Sequence, residues 1–155
     1  MAADHCLLMR LSLQQVPPSP LWPPGVTLRL FDMADAAQVY DLLRDGQADD
    51  LLDWPSWQTQ WLSNAEYDPA LCLLVMDSDG LVAMVQGWTS GYLKDLVVHP
   101  RARRRGLGSA LLAWALHTYR QRGEASVDLR VREDNHPARR LYQRMGWRCL
   151  RREPC

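Results

Sequence analysis

Apolar Leu7, Met9, Leu11 and Leu13 alternate with Leu8, Arg10, Ser12 and Gln14, a period of two that predicts a strand with one apolar face. Residues 17–24, Pro-Pro-Ser-Pro-Leu-Trp-Pro-Pro, are extended, because proline fixes φ and removes backbone donors. Beyond Gly25 the alternation returns over Val26 to Phe31. Asp32 then stands where it can cap a helix whose apolar face is Ala36, Val39, Tyr40 and Leu43, ending near Gly46. Residues 47–69 are acidic and tryptophan-rich, with Ser56 placed to cap a short helix carrying Trp57 and Trp61. The apolar runs Leu71 to Met76 and Leu81 to Trp88 flank Asp77-Ser78-Asp79-Gly80 and predict an antiparallel hairpin. Tyr92 to Val98 is a further strand, stopped by Pro100. A helical period runs from Gly106 to about Arg122, with Leu107, Ala110, Leu111, Trp114 and Thr118 on one face, and Gly123 ends it. Ser126 to Val131 predicts a strand, and Asn135 caps a helix from about His136 to Met145. Gly146 closes that helix before a last strand, Trp147 to Leu150. Strands and helices interleave, so the fold class is α/β within one domain over residues 25–155, preceded by an extended head at 1–24.

Composition narrows the function. The chain has 155 residues and 18 basic against 18 acidic groups, enough length for a sizeable core. The zero net charge hides a split: residues 1–95 carry four basic and 13 acidic groups, net −9, and residues 96–155 carry 14 arginines and five acids, net +9. A basic half receives an anion and an acidic half attracts a cation. No apolar run approaches a membrane span, and the N-terminus lacks the basic and apolar regions of a signal peptide, so a cytoplasmic protein is expected, with no membrane partner. Cys6, Cys72, Cys149 and Cys155 are scattered and read as reduced, structural thiols. With His5, His99, His117 and His136 equally unpaired in spacing, no metal is expected.

The strongest chemical signal is Leu96-Val97-Val98-His99-Pro100-Arg101-Ala102-Arg103-Arg104-Arg105-Gly106-Leu107-Gly108-Ser109. A strand runs into a turn with two spaced glycines, and a helix begins there with free N–H groups and a partial positive charge. Glycines let the backbone approach an anion closely, and Arg103, Arg104 and Arg105 add charge-assisted donors. The arrangement suits a pyrophosphate. A nucleic-acid patch would need neither the preceding strand nor the glycines, so no nucleic acid is expected as partner. It is not a Walker loop, since no Lys-Ser or Lys-Thr follows the glycines.

Arg103-X-X-Gly106-X-Gly108 after Leu-Val-Val-His-Pro resembles the acetyl-CoA pyrophosphate loop of the GNAT superfamily of N-acetyltransferases. Asn135-His-Pro-Ala138-Arg-Arg-Leu141-Tyr142-Gln-Arg-Met-Gly146-Trp147 resembles that family's later Asn-X-X-Ala-X-X-Leu-Tyr block. The resemblance runs from about residue 25 to residue 150. It implies a mixed, mostly antiparallel central sheet flanked by helices, with two splayed strands, Leu96 to Val98 and Val127 to Val131, gripping the pantetheine arm. On this reading acetyl-CoA is held by Leu96, Val97, Val98, Arg103, Arg104, Arg105, Gly106, Leu107, Gly108, Ser109 and Asn135. Tyr142, seven residues after Asn135 and so on the same helix face, is the general acid to the sulfur. Where some members carry a basic Glu, this chain has Tyr92 and Arg130. Asp95 and Asp128 are the carboxylates left on those strands, with Asp95 the candidate base and a water chain the alternative.

The resemblance places the acceptor over the early helices, where Asp49, Asp50, Asp53, Trp54, Trp57, Trp61, Glu66, Tyr67 and Asp68 suit a small cationic amine. For Trp57 and Trp61, four apart, the spacing reads rather as a packed helix face. A protein N-terminal or lysine acetyltransferase, or a non-catalytic CoA-binding sensor, are the alternatives. The family commonly ends in two strands after the Tyr helix, and only Trp147 to Leu150 follows here. The alternating head is therefore expected to cover the open edge, within one chain or by exchange in a homodimer.

Overall fold

The computed structural model describes residues 4–46, 48 and 50–155. Seven strands make one sheet: β1 (His5–Ser12), β2 (Thr27–Leu30), β3 (Tyr67–Asp77), β4 (Gly80–Trp88), β5 (Tyr92–Val98), β6 (Ser126–Arg132) and β7 (Arg148–Pro154). They lie in the order β2-β3-β4-β5-β6-β1-β7, every neighbouring pair antiparallel except β5 with β6. The helices are α1 (Ala36–Asp45), α2 (Trp54–Ser63), α3 (Leu107–Gln121) and α4 (His136–Arg144). The mixed α/β architecture expected from the sequence is the one observed.

Helices cover both faces of the sheet. On one, Leu111, Leu112, Leu116 and Tyr119 of α3 pack with Leu73, Val85, Leu93, Val127, Leu129 and Val131, and α4 adds Tyr142. On the other, Val39, Leu42 and Leu43 of α1 and Trp57 and Trp61 of α2 pack with Phe31, Cys72, Leu74, Met84 and Val97. Each fully buried aliphatic side chain contributes about 1.5–3 kcal/mol relative to exposure, so both layers anchor the central strands. The buried residues of α3 are Leu107, Ala110, Leu111, Leu112, Ala113, Ala115, Leu116 and Tyr119, whereas Trp114 and Thr118 of the expected face sit at the margin. The helix is apolar enough that two neighbouring stripes fit the sequence, and the sheet selects the one carrying Tyr119.

The helix starts follow from short polar side chains. Asp32 accepts from the Ala34 amide and Asp35 accepts in return from the Asp32 amide, closing a capping box ahead of α1. For α2 the cap is Asp53, which accepts the Ser56 amide at 2.9 Å with Pro55 in the first turn. Ser56, expected as cap, supplies the amide instead, because proline in the first helical turn fixes the start upstream.

The head differs most from expectation. β1 does not cover an outer edge; it is an internal strand between β6 and β7, which runs past Leu150 to Pro154 and is itself the edge. Leu7, Met9 and Leu13 enter the α3-side core, and Leu8 is buried as well, as suits a strand paired on both sides. Cys6 and Cys155 form a disulfide joining β1 to the residue after β7, which corrects the reading of all four cysteines as reduced. Their separation of 149 residues hid the pairing, since only the strand order brings them together. Cys72 is buried and free, and Cys149 exposed and free.

Candidate active site

β5 and β6 run parallel but pair only at Tyr92 with Asp128 and Leu93 with Leu129. Beyond Leu93 the side of β5 that faces β6 has no strand partner, so Leu96, Val97 and Val98 line a V-shaped gap whose apex is at Tyr92 and Asp128. A register shift between Gln86 and Gly87 makes Lys94 the extra residue of a bulge on β5. It turns the strand so that Leu93 enters the α3-side core while Val97 enters the α1-side core.

The open end of the V leads into the arginine-rich turn. His99 caps a single helical turn at Pro100–Ala102 by accepting the Arg101 amide, and Ala102 is its buried plug. Arg104 at φ 66° and Gly106 at φ 78° are left-handed and turn the chain into α3. A Cβ on Gly106 would meet nothing within 4 Å, so the space before the helix is open and its left-handed φ is what calls for glycine there. Leu107 is buried, anchoring that first turn, and Ser109 is exposed. The three arginines are not equivalent. Arg103 donates to the Val98 carbonyl at 3.3 Å, Arg105 lies 3.9 Å from Asp77, and Arg104 extends into solvent.

The second sequence block meets the first in space. A Cβ on Gly108 would lie 3.6 Å from Leu141 and 4.0 Å from Val98, so the start of α3, the open end of β5 and α4 converge. Asn135 caps α4 by accepting the Ala138 amide at 3.3 Å, which leaves its side-chain NH2 as a donor. Tyr142 is buried, its ring 5.7 Å from Trp147, and burial pushes its phenol up to about 12. It therefore holds its proton throughout the neutral range.

The two carboxylates of the splayed strands have separate fates. Asp128 accepts two hydrogen bonds from Arg10, of 2.7 and 2.9 Å. Among the described residues Asp95 has only Lys94 as an ion-pair partner, 3.9 Å away, and its side chain is 16% exposed. Burial raises its pKa above the usual carboxylate range, against a smaller opposing pull from Lys94.

Beside the apex lies an open depression of about 540 Å³ walled by Glu66, Trp88, Tyr92, Lys94, Asp128 and Arg130. The rings of Trp88 and Tyr92 pack at 5.4 Å, tilted by 36°. The phenol of Tyr92 is raised by burial, with Arg130 opposing. Arg130 is bound by Glu153 at 2.7 Å, Asp128 by Arg10 and Lys94 by Asp95. Among the described residues Glu66 has no ion-pair partner. Most of the other acceptor candidates are used structurally. Trp57 and Trp61 are core, Asp53 is a helix cap, and Asp68 holds Arg122 at 2.8 Å. Tyr67 packs on Trp61, Trp54 on Trp57, and Asp50 is exposed in a left-handed turn. Asp49 lies outside the described residues. The sequence names Glu66 only as one acceptor candidate among nine, and the pairing of β3 with β4 sets it beside Trp88.

A family model described as "Acetyltransferase (GNAT) family" matches residues 36–147. The chain belongs to the GNAT family. A protein named mycothiol acetyltransferase from Thermomonospora curvata is 32% identical over 152 residues, 91% of this chain and 50% of that protein. One of the same name from Clavibacter sepedonicus is 42% identical over 93 residues, 56% of this chain and 30% of that protein. The crystal structure of a GCN5-related N-acetyltransferase from Sphaerobacter thermophilus superposes with a TM-score of 0.85 at 30% identity, over 98% of this chain and 50% of that one. This GNAT chain thus spans half or less of the length of these relatives. Among its described residues, no helix is long and apolar enough to cross a membrane.

Proposed function

We propose that this GNAT chain transfers an acetyl group from acetyl-CoA to the primary amine of a small cationic molecule, in a ternary complex. The observation that carries the proposal is the β5–β6 gap, which leads from the turn before α3 to an apex beside the acceptor depression. The amides at Gly106 to Ser109 and the side chains of Arg103 to Arg105 take the pyrophosphate, and the unpaired side of β5 at Leu96 to Val98 and Asn135 take the pantetheine amides. The amine nitrogen attacks the thioester carbonyl, and a backbone N–H near Val98 stabilises the oxyanion. As the carbon–sulfur bond breaks, Tyr142 gives its proton to the departing thiolate, and Asp95, directly or through water, takes the proton lost by the amine. The raised pKa of Asp95 suits a base, and the protonated Tyr142 suits an acid.

For the acceptor, the names of the relatives support acetyl transfer, and the depression supports a cation. Its Asp128, Lys94 and Arg130 are already paired, so Glu66 is the charge left to meet a ligand. Because the attacking amine must be neutral, the charge that Glu66 meets is a second cationic group. Acetyl transfer to 1,4-diaminobutane, 1-aminobutane and 4-aminobutanoate tests this. The diamine is expected to have the highest kcat/KM, and Glu66→Gln to raise its KM alone. Preference for the neutral or anionic acceptors would contradict the reading.

A further inference from the structure

We propose that Asp77, at the tip of the β3–β4 hairpin, is a positioning residue for acetyl-CoA: it holds the arginine-rich turn in the shape that receives the pyrophosphate. The inference rests on the acetyl-transfer reading above and adds to it a residue that lies far from either sequence block.

One carboxylate organises three neighbours. Asp77 accepts from the Asp79 amide at 2.9 Å, which shapes the hairpin turn, and from Arg101 at 2.7 and 3.1 Å in a two-pronged pair. Its Oδ2 also lies 3.9 Å from Arg105. Only 11% of the Asp77 side chain is exposed, and the hydrogen bonds from Arg101, above all, hold its pKa down at about 2. The carboxylate is therefore ionised at every working pH.

The turn it grips needs an external hold. Arg101, Arg103, Arg104 and Arg105 are all exposed, and Ala102 is the only buried side chain from Pro100 to Gly106. Arg104 adopts a left-handed φ of 66°, a conformation that a residue with a Cβ keeps only when its surroundings impose it. Fixing the turn before the ligand arrives lowers the ordering cost of binding.

A rival physical effect has the opposite sign. A carboxylate beside an anion site cancels positive charge, so if Asp77 acted only through its charge, removing it would tighten binding. Positioning predicts weakening instead, and the sign decides between them.

The test is calorimetric titration of acetyl-CoA into the wild-type protein and three variants, with circular dichroism to check folding. Asp77→Asn is expected to raise Kd by about 5- to 20-fold, the loss of a charge-assisted pair that orders a loop. Arg101→Met should raise it by a similar factor, and the double variant should be no weaker than the worse single one. The Arg101 variant carries the test if Asp77→Asn does not fold. Steady-state kinetics should put the effect on the KM for acetyl-CoA, with kcat at saturation changed by about two-fold or less. Unchanged or tighter binding by Asp77→Asn or Arg101→Met, or additive losses in the double variant, would overturn the proposal while leaving acetyl transfer standing. A wild-type protein that does not bind acetyl-CoA would overturn both.

Discussion

Arg10 of β1 and Asp128 of β6 face each other in register and are joined by two charge-assisted hydrogen bonds of 2.7 and 2.9 Å. Asp128 also pairs with Tyr92 at the apex of the β5–β6 gap, so the N-terminal strand buttresses the point where the sheet begins to open. The head is thus part of the site's frame. Deleting residues 1–16 removes an internal strand with buried Leu7, Leu8, Met9 and Leu13, and the variant is expected to lose its cooperative thermal transition. A truncated protein that melts as the full chain does would show that β1 is dispensable.

The disulfide ties the same strand to the other end of the chain. Closing so long a loop should stabilise the fold by about 2–5 kcal/mol. Chemical unfolding with and without reductant measures the difference. Under non-reducing native conditions one thiol, Cys149, should label quickly, with Cys72 labelling only on unfolding. Fast labelling of three or four thiols would contradict the pairing.

Asp95, proposed as the base, carries a cost to the fold. Its folded pKa is raised by burial, so its ionised form weakens the fold above the ordinary carboxylate range, and that penalty disappears as the pH falls and the group takes a proton. Asp95→Asn should therefore melt at the same temperature or about 1–3 °C higher at neutral pH. Catalysis runs the other way: activity should fall as acid protonates Asp95, with a midpoint above that of an ordinary carboxylate, and the Asn variant should be slower by about 10²-fold. A variant with wild-type rate and the same acidic limb would assign the base to water.

Gly87 lies at the bulge where β4 meets β5, and a Cβ there would lie 2.1 Å from the Tyr119 hydroxyl. That hydroxyl donates to the Trp88 carbonyl at 2.7 Å, beside the depression at the apex of the gap. Gly87→Ala should cost about 1–3 kcal/mol through overpacking. Adding Tyr119→Phe should return part of that loss, and thermal melting of the three variants checks it.

Most elements were legible because apolar periodicity is local: β3 to β6, α3 and α4 lie within a few residues of their sequence-based bounds. The arginine turn and the Asn135 to Tyr142 block were legible because each carries its chemistry within a dozen residues. What could not be read depends on distant pairing. The insertion of β1 between β6 and β7, the Cys6–Cys155 disulfide and the grip of Asp77 on Arg101 join residues that are remote along the chain. The i, i+4 spacing of Trp57 and Trp61 marked them as a packed helix face, and the core holds them there.

The central claim is acetyl transfer with Tyr142 as acid, and amine-dependent release of the CoA thiol from acetyl-CoA tests it most directly. Release by the wild-type protein should require the diamine, and Tyr142→Phe should lower kcat by about 10²–10⁴-fold while the KM for acetyl-CoA changes little. No amine-dependent thiol release from the wild-type protein, or full activity in Tyr142→Phe, would contradict it.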